Sequence, residues 1–271
     1  MRYLSVYILI TILSLVFILD SWAQEKNESS LTVSAAISLK DSFEEIGRLF
    51  QKKHKGVKVF FNFGASGTLQ TQIEGGAPVD VFASAAPKQM DALEKKGLVV
   101  EGTRKNFAGN VLVLIIPLSS KLHIRSFSDL EKPYVKRIAI GNPKTVPAGQ
   151  YSEEVLRNLK LWDKLTQKFV YAENVRQVLD YVARNEVDAG LVYLTDAWIK
   201  KKQVKIVAEA PKGSCKPVVY PIAVVKNSRN IPLAKQFIEL VMSPEGQKIL
   251  KKYGFKTSKE LEKAEKEVIR K

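Results

Sequence analysis

Few side chains in this sequence are placed to make or break covalent bonds, but several are placed to hold an anion. Gly64-Ala65-Ser66-Gly67-Thr68 follows an apolar run, Val57 to Phe63, and opens a helical pattern. A strand, a small-residue turn and a helix start bring free backbone N–H groups together, which is how helix N-termini bind anions. Three more turns share this character: Ser38 within Ala35 to Asp41, Ala148 within Val146-Pro147-Ala148-Gly149, and Val175 within Glu173-Asn174-Val175-Arg176. Ser38 and Ser66 read as N-cap or first-turn residues, and any one of these turns alone also fits an ordinary helix cap.

Catalytic readings fit less well. Ser66 is not in a G-x-S-x-G elbow, because Thr68 stands where the second glycine belongs. The two histidines, His54 and His123, have no helper nearby, and with one cysteine they provide no zinc spacing. The glycine turn lacks the Gly-Lys-Ser/Thr ending of a phosphate loop. Asp80 and Asp196 could serve as acid or base, but spacing selects neither. Cys215 has no partner for an internal disulfide and reads as an inert, partly buried thiol.

The chain has 271 residues, 43 basic and 28 acidic, for a net charge of +15. Such a balance raises nucleic acid as a partner, but the basic residues are dispersed and lack the interleaved aromatics of a base-stacking surface. Export argues the same way. Arg2, an apolar run to Leu19, then Ser21 and Ala23 have the form of a secretory signal peptide spanning residues 1–23, with a retained anchor as the rival reading. No cysteine near the cleavage point suggests a lipoprotein. The expected mature chain, from about Gln24, is soluble and extracytoplasmic, with a positive field that steers small anions toward it.

The elements that must position the four turns alternate β-branched runs with amphipathic segments, which predicts an α/β fold. Strands are expected at Leu31–Ala36, Val57–Phe63, Val79–Ala83, Val111–Pro117, Arg137–Gly141, Phe169–Ala172, Ala189–Tyr193, Val204–Val207 and Val218–Val225. Helices are expected at Ser38–Lys53, Ser66–Glu74, Pro87–Lys96, Ser126–Leu130, Ala148–Leu159, Val175–Asn185 and Pro232–Met242, with another opening at Pro244. No linker-like segment appears, so two lobes would be joined by crossing strands. Residues 256–271, KTSKELEKAEKEVIRK, read as a charged surface helix or frayed tail.

Taken together, the segments SAAISLKDSFEEI, FNFGASGTLQTQIEGGAPVDVFASA, NPKTVPAGQYSEEVL, AENVRQVLDYVARNEVDAGLVYLTDA, YPIAVV and KKYGF are similar to the periplasmic molybdate-binding proteins of ABC-type importers. The resemblance runs from Leu31 to Phe255. It implies the type II periplasmic binding protein fold, two lobes that each hold a mixed sheet flanked by helices, with crossover strands as the hinge. The implied lobes are 24–108 plus 219–255, and 109–218.

The resemblance also implies that Ser38 and Ser66, the backbone N–H groups of Ala148 and Val175, and the phenol of Tyr193 hold molybdate or tungstate. Molybdenum would enter as an oxyanion only, through those residues, with no cofactor and no enzymatic activity. The implied protein is a monomer that delivers its ligand to an ABC-type molybdate permease. The alternatives are a receptor for another oxyanion such as sulfate, a secreted serine hydrolase using Ser66, and a ferric-ion receptor, for which Tyr193 lacks an adjacent tyrosine.

Overall fold

The computed structural model describes residues 29–269, so the expected signal peptide lies outside the described residues. Two mixed sheets, each flanked by helices, make up the α/β architecture. Strands β1 (Ser29–Ala36), β2 (Val57–Gly64), β3 (Val81–Ala83), β4 (Lys105–Asn110), β10 (Val218–Val224) and β11 (Lys256–Thr257) form the first, in the order β11-β4-β10-β3-β1-β2. Strands β5 (Leu112–Pro117), β6 (Ile138–Gly141), β7 (Phe169–Ala172), β8 (Ala189–Tyr193) and β9 (Val204–Glu209) form the second, in the order β7-β6-β8-β5-β9. The chain passes from one sheet to the other at Val111 and returns through residues 210–217.

Register explains how distant turns become neighbours. β1 and β2 run parallel with Ala36 opposite Gly64, so the turns bearing Ser38 and Ser66 leave the same edge of the first sheet. β6 and β7 run parallel with Gly141 opposite Ala172, which does the same for the turns leading to Ala148 and Val175. All four lie beyond the carboxyl ends of parallel strands, where ligands of open α/β sheets bind.

The helices follow their apolar periodicity. α1 (Lys40–Lys53) buries Phe43, Ile46 and Phe50 on one face, with Phe43 and Phe50 against Phe237 of α8 (Ile231–Met242). α2 (Ser66–Glu74) and α3 (Pro87–Lys95) cover β3, α4 (Pro147–Asn158) and α6 (Val175–Ala183) cover the second sheet, and α5 (Trp162–Leu165) and α7 (Leu194–Ile199) are short. α9 (Pro244–Lys252) opens on Pro244 as expected, capped by Ser243 Oγ accepting from Gly246 N–H at 3.2 Å. Among the described residues no helix is long and apolar enough to cross a membrane.

The C-terminal stretch forms the expected charged helix, but an edge strand that was not expected precedes it. Lys256 and Thr257 form β11, paired antiparallel with Gly109 and Ala108. α10 (Ser258–Ile269) then folds back so that Leu261 packs on Gly109. A pattern dominated by Lys and Glu hid the edge strand that anchors it.

Candidate functional site

The two sheet edges face one another and enclose a cavity lined by all five residues named above, Ser38, Ser66, Ala148, Val175 and Tyr193. Its remaining walls are alanines together with Ile37, Val146 and Pro147, and among the described residues no charged side chain lines it. The space open to the centre of a water-sized sphere is ≈10 Å³. That suits one compact tetrahedral oxyanion and is far below the roughly 300–1,000 Å³ of sites for organic ligands.

Neither serine is an N-cap. Ser38 is the middle residue of a 3-10 turn, Ile37–Leu39, that leads into α1, and Ser66 is the first residue of α2, with Ala65 at the cap position. Neither side chain closes its own helix, so both hydroxyls are released for other work. Ala148 is the second residue of α4 and Val175 the first of α6, positions whose N–H groups have no acceptor within the helix. Asn174 does cap α6, its Oδ1 accepting from Gln177 N–H at 3.0 Å.

Hydrogen-bond directions make the hydroxyls donors toward the cavity. Val111 N–H donates to Asn110 Oδ1 at 2.9 Å, which fixes the amide and turns Nδ2 toward Tyr220 Oη at 3.2 Å and Thr195 Oγ1 at 2.9 Å. Tyr220 accepts there, and Ser38 Oγ at 3.1 Å is the acceptor left for its phenol proton; in that arrangement the Ser38 proton is free for a ligand. Ser66 Oγ likewise accepts from Ala85 N–H at 3.0 Å and keeps its proton free. Tyr193 Oη points to the Ala85 carbonyl at a long 3.3 Å. Burial pushes the Tyr193 and Tyr220 phenols well above their ordinary pKa, so both stay protonated. A cavity with donors and no fixed countercharge stabilises an anion through dipoles.

Among the described residues, the guanidinium beside these turns is directed elsewhere. Arg176, next to Val175, donates from Nη2 to Asp41 Oδ2 at 2.8 Å, and its Nε lies 3.7 Å from Asp196 Oδ1. Asp196 is fully buried in the first turn of α7, with neither carboxylate oxygen accepting a hydrogen bond of normal geometry. Burial pushes its pKa up to about 7 against the downward pull of Arg176. Asp80, the other carboxylate with an open reading, is a structural staple. It accepts from Thr32 N–H at 2.7 Å, Ser228 Oγ at 2.6 Å and Arg229 N–H at 3.1 Å.

Two sequence readings need correction. Tyr193 has tyrosine neighbours after all, with ring centroids 6.4 Å from Tyr151 and 5.8 Å from Tyr220. Burial holds all three phenols above their ordinary pKa. Sequence reasoning also missed Asn110 and Tyr220; the only signals were a polar residue just before the apolar run at Val111 and a tyrosine within the strand-like run Val218–Val225. Cys215 is half-buried, its thiol pushed up to about 11 by burial, in keeping with an unreactive group.

Gly149, in the first turn of α4, lets that helix sit directly on β6. A Cβ there would overlap the Gly141 carbonyl oxygen, which is backbone and cannot swing away. Gly149→Ala is therefore expected to lower stability by about 1–3 kcal/mol, measured as a drop in urea midpoint at unchanged m-value. A midpoint equal to wild type would show that α4 can shift without strain.

Residues 31–256 match the model of the bacterial extracellular solute-binding protein family. The molybdate-binding protein of Escherichia coli is 41% identical over 235 residues, 84% of this chain and 90% of that one. That of Haemophilus influenzae is 39% identical over 233 residues, again 84% and 90%. The solved periplasmic molybdate-binding protein of Azotobacter vinelandii superposes with a TM-score of 0.74 at 29% identity, covering 83% of this chain and 98% of that one. A two-sheet architecture, a cavity of neutral donors where the sheet edges meet, and relatives aligned along most of their length lead to one statement: the chain belongs to the bacterial extracellular solute-binding proteins.

Proposed function

We propose that this chain is an extracytoplasmic receptor that captures molybdate, and tungstate as its close analogue, between two lobes built on the two sheets, and delivers it to an ABC-type permease. The observation that carries this reading is the convergence of Ser38, Ser66, Ala148, Val175 and Tyr193 on one small cavity without a charged wall. Neutral donors disperse the charge of a dianion and still let it leave. The Ala85 carbonyl already accepts the Tyr193 phenol. A hydrogen phosphate O–H would have to share that carbonyl or take it from Tyr193, whereas a fully deprotonated dianion asks for donors alone.

The same geometry disfavours the serine hydrolase. Ser66 Oγ is held by a backbone N–H, which is a donor and cannot act as a base. In this reading the receptor acts as a monomer without a cofactor, and the leader 1–23 is removed on export.

A thermal-shift panel of molybdate, tungstate, sulfate, phosphate and citrate tests the proposal. A ligand stabilises by RT ln(1 + [L]/Kd), about 4 kcal/mol at a thousandfold excess over Kd. Molybdate and tungstate are expected to raise the midpoint by several degrees and the other three to leave it nearly unmoved. Stabilisation by sulfate alone would reassign the ligand, and no shift with any anion would end the reading.

A further inference from the structure

The donor turns are joined across the cleft, in pairs, by contacts that do not use the five donors. The Ser66 turn meets the Ala148 turn through Gly67 N–H, which donates to the Thr145 carbonyl at 2.9 Å. The Ser38 turn meets the Val175 turn through the Asp41–Arg176 ion pair at 2.8 Å. In each pair one partner lies on a helix packed on the first sheet, and the other lies in the turn after β6 or on α6, both of the second sheet's layer. Each bridge also lies within three residues of a proposed donor on both sides.

The first bridge demands glycine. A Cβ on Gly67 would sit 2.5 Å from the Thr145 carbonyl oxygen and 2.8 Å from its Cα, both backbone atoms. Gly67 has an ordinary helical position, so its lack of a side chain answers to the facing lobe. The second bridge sits on a group with no better partner. Arg176 is largely enclosed between Asp41 and the buried Asp196, so parting the lobes would take away its close partner and leave it only Asp196 at 3.7 Å.

We propose that Gly67, with the Thr145 carbonyl, and Asp41, with Arg176, are positioning residues that form a two-point clasp holding the lobes shut over the anion. They act on the population of the closed state and not on the anion itself. The observed affinity of a receptor is its intrinsic affinity scaled by the fraction in the competent state. Loss of a clasp contact therefore speeds anion release and leaves capture by the open form unchanged. The inference rests on the cavity being the anion site.

The test uses Gly67→Ala and Asp41→Asn, with Gly75→Ala as control. Gly75 terminates the same helix, and its added Cβ would meet nothing closer than 3.4 Å. Stopped-flow kinetics with molybdate is combined with lobe distances from spin labels at the exposed Lys55 and Lys121. For Gly67→Ala, dissociation is expected to accelerate about tenfold or more, and for Asp41→Asn about threefold to tenfold, with association within twofold of wild type. The anion-free melting midpoint is expected to stay near wild type, a split that a general folding defect would not produce.

Unchanged dissociation in Gly67→Ala, or equal effects of Gly67→Ala and Gly75→Ala, would overturn the clasp. A wild-type protein that binds no molybdate overturns the functional reading instead. The clasp is then judged on the label distances, where a Gly67→Ala distribution equal to wild type refutes it and a longer one upholds it.

Discussion

Ser66→Ala is expected to weaken molybdate binding about tenfold to a hundredfold and to lower the stability of the anion-free protein as well. The hydroxyl has two jobs that separate in these readouts. Its proton is free for a dianion, and a hydrogen bond to a charged group contributes roughly 1.5–3 kcal/mol. Its oxygen accepts from the buried Ala85 N–H, which alanine would leave orphaned at about 1–3 kcal/mol whether or not an anion is present. Ser38→Ala should lose a similar factor in affinity, because it removes one donor and strands the Tyr220 proton that Asn110 has directed toward it.

Val175→Ala should do far less, since there the proposed donor is the backbone N–H, which survives substitution. Tyr193→Phe falls between these, because the phenol is already engaged by Ala85 through a long bond. Titration calorimetry gives the order. Equal losses at Ser66 and Val175, or no loss at either serine, would place the anion elsewhere.

What sequence could reveal about this site was local, and what it missed was relational. Strand, small-residue turn and helix start are each legible from a few neighbouring residues, which is why the four turns stood out. The donor or acceptor role of each hydroxyl depends on partners far along the chain. Asn110 and Tyr220 are 110 residues apart yet set the direction of the Ser38 proton. β4 escaped notice because KNFAGN carries little apolar content; it is held by pairing on both sides, to β10 and β11.

α7 escaped for another reason. It starts directly at the end of β8, and Tyr193 in the cap position closes nothing with its side chain. The short helix expected at Ser126–Leu130 is a 3-10 helix, Ser128–Glu131, and its Asp129 Oδ2 accepts from Arg125 N–H, Ser126 N–H and Ser126 Oγ, which holds the preceding residues out of it. Local hydrogen bonding by Asp and Ser competed with the helix there and won.

The second large effect is a dependence of stability on pH that Asp196 imposes. Burial raises its pKa from 3.8 to about 7 in the folded protein, opposed by Arg176 at 3.7 Å. Between those values the folded chain holds a proton that the unfolded chain has released, so folding takes up a proton and rising pH works against it. The stability attached to the neutral form is complete below about pH 4, declines by at most ~1.4 kcal/mol per unit as pH rises, and levels off above about 7. Over the whole window that amounts to about 4 kcal/mol.

Carboxylates such as Glu45, held low by Lys252, and Asp129, held low by Arg125 N–H, act in the opposite sense. Their contribution is lost as pH falls through their lowered values and is complete by about pH 6. The interval from about 6 to 7 therefore belongs mainly to Asp196. Asp196→Asn cannot ionise and should remove the wild-type decline there, so that variant and wild type converge at low pH and the variant gains up to about pH 7 and keeps that lead to pH 8. Urea midpoints across that range measure the difference directly. Parallel curves would mean that Asp196 is ionised in the folded protein at every pH tested, and that Arg176 stabilises its charge more fully than a separation of 3.7 Å implies.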